Sequence, residues 1–181
     1  MTSQLSETTS YAIDSAHSTA AFVVRHLMIA KVRGLFAGVS GTIDFEPNSD
    51  VPSFVQATID ATCIDTREAQ RDAHLRSADF LEVERYPTIE FVSTRIRGSA
   101  ETFTIDGNLT IHGMTRAVEL KAALEGRGPD MQGKQRVGYS ASTTINRKDF
   151  GLTWNAALET GGVVVGDGVR IELDVQGTLR S

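Results

Sequence analysis

This chain is poor in the features that mark most functional classes. It has a single cysteine, Cys63, so no intrachain disulfide can form and a secreted disulfide scaffold is excluded. It has no run of Lys or Arg and a formal net charge of −5, whereas nucleic-acid binders normally present a basic face. No apolar stretch approaches the roughly 20 residues that a bilayer-spanning helix needs. The opening MTSQLSETTS has neither a basic nor an apolar segment and does not read as a secretory signal, so the expected location is cytoplasmic. No Gly-x-Ser-x-Gly, P-loop or dinucleotide fingerprint occurs. His17, His26, His74 and His112 fall in four different segments, without the His-x-His or His-x-x-x-His spacing of a zinc site. Gly161-Gly162 and Gly166-Asp167-Gly168 flank three valines with no helix to follow, which suits a loop before a strand better than a phosphate cradle.

What is present is alternation. With 181 residues, 40% of them hydrophobic, the chain can fill one core and is short for two. Residues 1–10 are Ser/Thr-rich and read as a disordered tail; residues 11–181 read as a single domain. A short strand is expected at Tyr11–Ile13. Ala20, Phe22 and Val24 then share one face, ending at Arg25-His26 and an apolar run from Leu27 to Ala30. Leu35, Ala37, Val39, Ile43 and Phe45, with Gly41 between, predict one long strand, which Phe36 breaks from the other face. Val55 to Cys63 repeats the pattern and places Cys63 among apolar neighbours as a buried, inert thiol. One helix is expected from Asp65, with Glu68 completing a capping box. Its only apolar residues, Ala69, Ala73 and Leu75, suit a lid or plug.

Further strands are expected at Ile89-x-Phe91, from Phe103 to Ile111 with a kink at Gly107, from Val118 to Leu124, from Val137 to Ile145 and from Val169 to Leu179. His112-Gly113 is a turn and Gly126–Gly133 a loop. Eight substantial antiparallel strands, most with one apolar face, must stack as two sheets or close into a barrel. Small inward residues, as around Tyr139, leave space, and eight strands enclose about enough room for one small ligand. The sequence therefore predicts an all-β, eight-stranded antiparallel barrel with one short helix and an internal apolar cavity. Arg147, Asp149, Phe150, Leu152 and Trp154 suggest either a ring-lined cavity mouth with an Arg for a polar head group, or an aromatic barrel corner with a local ion pair.

Several motifs resemble the YceI-like family. They are Asp14-x-x-His17-Ser18, Phe22-x-Val24-x-His26, Gly34-x-Phe36 and Gly41-x-Ile43. The middle of the chain adds Asp72-x-His74-Leu75-Arg76-Ser77-x-Asp79-Phe80 and Tyr86-Pro87-x-Ile89-x-Phe91-x-Ser93. Later come Leu109-Thr110-Ile111-His112-Gly113-x-Thr115 and Asn146-Arg147-x-Asp149-Phe150-Gly151-Leu152. The resemblance covers Tyr11 to Arg180, nearly the whole chain. The resemblance implies a lipocalin-like barrel that binds a polyisoprenoid or another long amphiphile, with a homodimer as the assembly. Leu81 stands where a second Phe is frequent in that family.

The function so implied is binding, storage or transport of a long-chain isoprenoid lipid, polyprenyl or quinone, without catalysis and without a cofactor beyond that lipid. Transient membrane contact is the expected complement. The rival expectation is an enzyme acting on such a lipid through His and Asp groups; a third is a stress-related scaffold barrel. The expected ligand-binding residues are Phe22, Val24, His26, Leu27, Phe36, Phe80, Phe91, Arg147, Phe150, Leu152 and Trp154.

Overall fold

Strands with one apolar face bury it most completely by curling into a closed wall. A computed structural model of the protein describes residues 7–181. Its ring is formed by β1 (Thr9–Ile13), β4 (Val39–Phe45), β5 (Phe54–Asp60), β7 (Thr88–Gly98), β8 (Phe103–Ile111), β9 (Met114–Pro129), β10 (Gln135–Asn146) and β11 (Val165–Leu179), each antiparallel to the next. β11 pairs back to β1 through Tyr11↔Leu179, which closes an eight-stranded barrel. At the upper end β11 pairs instead with β2 (Thr19–His26), followed by β3 (Ala30–Phe36) and the two-residue β6 (Ile64–Asp65). Three of the ring's strands, β1, β4 and β5, thus continue at the upper end as β2, β3 and β6.

These split strands account for several departures from the pattern expected from sequence. The stretch expected as one strand from Leu35 to Phe45 is two, β3 and β4, separated at Ala37-Gly38. The break changes parity: Phe36 and Val39 are buried, while Leu35 is 40% exposed. Likewise β5 stops at Asp60 and a 3-10 turn, Ala61–Cys63, leads into β6. That turn puts Cys63 on the surface, where its thiol donates to Asp60 Oδ2 at 3.3 Å; the carboxylate pushes the thiol pKa up. Cys63 is exposed, then, not buried. β1 begins at Thr9, so two residues of the expected tail belong to the sheet, and residues 1–6 lie outside the described residues. β9 runs on to Pro129, leaving a shorter loop than Gly126–Gly133. Phe103–Ile111 is one strand through Gly107, as its parity suggests.

The helix α1 (Ala69–Arg76) starts later than expected. Glu68 caps it, accepting from the N–H groups of Gln70 and Arg71, while Asp65 holds the preceding turn by accepting from Arg67 N–H at 2.7 Å. Buried Asp72 accepts from the Thr66 amide and hydroxyl, and Arg71 donates to Thr66 from above, which pins the helix to β6.

The lower end is sealed by rings. Tyr11, Phe45, Tyr139 and Phe103 are all buried and pack one against the next in that order, with centroid separations of 5.5 to 6.2 Å. Tyr139 donates its hydroxyl to Asp50 O at 2.8 Å, tying the loop below β4 across the opening. In the lower half of the wall, Asp14 accepts from Arg136 at 2.6 Å and pairs with His17 at 2.9 Å. Arg136 also meets Asp130 at 2.8 Å.

The Arg136 hydrogen bond, then that of His17, holds the Asp14 carboxyl at about 2 instead of its ordinary 3.8. A depressed folded pKa means the charged form is favoured by folding, so this contribution is complete above the unfolded value and lost as pH falls through the folded one. Asp14→Asn is expected to flatten the loss of stability between about pH 4 and pH 2. Urea midpoints measured for both proteins across that range check this; parallel acid limbs would show that Asp14 is not part of it.

Candidate functional site

Inside the wall lies a cavity of about 220 Å³. Its space comes from small inward residues: Ala57 on β5, Ala122 on β9, and Ala141 and Thr143 on β10 all line it. Larger apolar side chains complete the surface, notably Ile105 and Leu109 on β8 and Ile171 and Leu173 on β11. Two rings are accommodated by glycine. A Cβ on Gly34 would lie 2.2 Å from the Phe22 ring opposite it, and one on Gly107 would lie 2.3 Å from the Phe91 ring. Both rings therefore lie flat over bare backbone, which places them against the wall and keeps the lumen open.

The upper end is built differently. Leu75 from α1 and Phe80 and Leu81 from the following segment line the cavity from above. His74, Phe80 and Trp154 form a ring cluster there, with centroids 4.7 to 5.3 Å apart, and His74 Nε2 meets Asp79 Oδ2 at 2.8 Å. With packed rings below and an apolar lumen between, the partly exposed aromatic cluster at the upper end is the candidate entrance. Among the described residues, no three His, Cys, Asp or Glu side chains come together so as to hold a metal ion.

With this geometry in view, the YceI-like domain family model matches residues 11–177. The chain belongs to the YceI-like family. A UPF0312 protein of Pectobacterium carotovorum is 36% identical over 160 residues, covering 87% of this chain and 83% of that one. The crystal structure of Campylobacter jejuni YceI superposes with a TM-score of 0.75 at 28% identity, covering 87% of this chain and 90% of that one. A polyisoprenoid binding domain from Saccharophagus degradans, implicated in plant cell wall breakdown, shares the fold with a TM-score of 0.67 at 17% identity, covering 94% of this chain and 98% of that one.

Of the residues singled out by sequence, this YceI-like barrel brings Phe22, Val24, Phe36, Phe80, Phe91, Arg147 and Leu152 to the cavity wall. Four stand elsewhere. His26 closes β2 above the lumen, and Leu27 sits in the β2–β3 turn, 37% exposed. Trp154 belongs to the entrance cluster. Phe150 is buried behind the wall, where the β9–β10 ladder ends at Ser142↔Lys121 and the strands part. A polar cleft of about 510 Å³ opens on the outer side of that gap, bordered by Phe150, Arg116, Lys121 and Arg170. It shares Val118, Thr143 and Ile145 with the cavity wall.

Arg147 has a different role from the rim cation expected. It is 3% exposed, and its guanidinium donates to four backbone carbonyls: Leu152 at 2.7 Å, Trp154 and Gly166 at 2.8 Å, and Val165 at 3.3 Å. Burial pulls its pKa down, and Asp167, 3.8 Å away, offsets part of this. Asp149, expected as its partner, is exposed. With its donors so occupied, Arg147 is a clamp that holds the entrance segment to the start of β11. The residues that the sequence reading missed, above all Val165, Val169, Ile171, Leu173 and Val175 of β11, carried a plain signal. Their alternation marked an inward face, and in a barrel with unfilled space an inward face is a cavity wall.

Proposed function

We propose that the protein binds a long-chain isoprenoid lipid, a polyprenyl chain or an isoprenoid quinone, in this cavity as a carrier or store and not as an enzyme. The observation that carries the reading is the enclosed lumen, lined almost wholly by apolar side chains. Membership of a family with a polyisoprenoid-binding structural relative supports the choice of lipid. Burial of each CH2 group contributes roughly 0.8 kcal/mol, so an apolar tail alone supplies ample driving force. His74 and Asp79, the one His–carboxylate pair at the entrance, are both exposed and stand among rings, which suits the rim of a container better than a dry reaction centre.

Trp154 offers a direct test, since a quinone entering past it should quench its fluorescence. Quinones with successively longer tails are expected to bind more tightly until the cavity is filled, after which affinity levels off. Affinity independent of tail length would rule out tail burial as the driving force.

A further inference from the structure

We infer that the β2–β3 turn is a membrane-docking device, with Leu27, Met28 and Ile29 inserting among the lipids of an anionic bilayer and Arg25 and Lys31 meeting its phosphates. The purpose assigned to it rests on the proposed lipid cargo, although its evidence does not. Ile29 is 84% exposed, Met28 47% and Leu27 37%, a run of three large apolar side chains at a hairpin tip. Soluble hairpins do not usually end this way: turns with positive φ at both central residues strongly favour Asn-Gly. Here those positions are Leu27 at φ 54° and Met28 at φ 62°, with Ile29 N–H donating to His26 O at 3.3 Å. Strain of this kind in non-glycine residues gathers at functional sites.

The tip is also held in place. Leu27 N–H donates to Val164 O at 2.8 Å, and the Met28 side chain lies over Gly162, where a Cβ would come within 3.0 Å of its Cγ. The turn is therefore braced against the loop before β11, at the cavity's entrance end.

Charge selects the partner. The protein contains 23 Asp and Glu, yet none falls between Asp14 and Asp44, the stretch that carries Arg25, Lys31 and Arg33. Arg25 also donates to Met28 O at 3.2 Å, which keeps its cation beside the apolar tip. On the neighbouring strand, Glu172 is engaged by both Arg33 and Arg170. An apolar tip flanked by Arg25 and Lys31, on a stretch of chain free of acidic residues, fits an anionic phospholipid surface. Docking there would set the entrance against the bilayer from which an isoprenoid must come.

Vesicle flotation with the full chain tests this. The protein is expected to float with equimolar phosphatidylglycerol–phosphatidylcholine vesicles at low ionic strength, to be released by salt, and to stay behind with pure phosphatidylcholine. Leu27→Asn, Met28→Gly and Ile29→Thr combined should abolish flotation without lowering the melting temperature, because the three changes remove the exposed apolar tip and the first two relieve the strain. Lys31→Glu, which reverses one exposed charge, should weaken binding by roughly tenfold or more. Flotation unchanged in the turn variant, equal binding to both vesicles, or a wild-type protein that never floats overturns the inference. So does sedimentation showing that the tip instead pairs two copies of the chain. Extraction of bound lipid reads the cargo separately: protein that floats without cargo sinks the proposed function alone, and protein that carries lipid without floating sinks the docking alone.

Discussion

Arg147→Ala is expected to destabilise the protein by about 3–5 kcal/mol, more than any other single change at the cavity's entrance. The guanidinium is 3% exposed and meets the carbonyls of Leu152, Trp154, Val165 and Gly166. Hydrogen bonds to a charged group contribute about 1.5–3 kcal/mol each, and carbonyls left dry cost further energy. Arg147→Lys should recover little, because one ammonium cannot reach four acceptors spread over two segments. Asp167→Asn is the contrast: that carboxylate is 45% exposed and 3.8 Å away, so its loss should cost no more than about 1 kcal/mol. Urea unfolding of the three variants separates them. An Ala variant within about 1 kcal/mol of wild type would mean that water replaces the clamp.

The second large effect is on binding. Ala141→Phe places a ring in the lumen, between the rows that contribute Ala122 and Leu173. Overpacking a filled core usually costs about 1–3 kcal/mol. Here the ring enters space that is already empty, so thermal stability should hold or rise while retention of a long-chain lipid falls at least tenfold. A lipid bound outside the barrel would be unaffected. Retention equal to wild type in a variant that melts normally would place the ligand elsewhere, with the cleft between β9 and β10 as the next place to look.

How much of this could be read from the sequence depended on whether the deciding contacts were local. The strand cores from Phe103 to Ile111, Val118 to Leu124, Val137 to Ile145 and Val169 to Leu179 were legible because each keeps one inward parity; the extension of β9 to Pro129 was not, because a bulge at Glu125 shifts its parity. The break at Ala37-Gly38 was not, because it shifts the inward face by one residue, from Phe36 to Val39, and the odd-numbered apolar residues on either side look continuous. Phe36 itself was the clue, as a large ring out of phase. Phe22 and Phe91 could be placed because each faces a strand that supplies a glycine. Arg147 could not: the carbonyls that occupy it belong to a loop and a strand start, and nothing in the local pattern distinguishes a rim cation from a buried one. Leu27 failed for a related reason, since an apolar run normally signals burial and this one ends in a strained, exposed turn.

The central claim is that the barrel carries a long-chain isoprenoid. It is tested most directly by purifying the protein gently, extracting it with organic solvent, and identifying and counting what is released by mass spectrometry. The account predicts one isoprenoid chain per barrel in the wild type and a small fraction of that in Ala141→Phe. A wild-type protein that releases no lipid, and binds none when isoprenoid quinone is supplied, would contradict it.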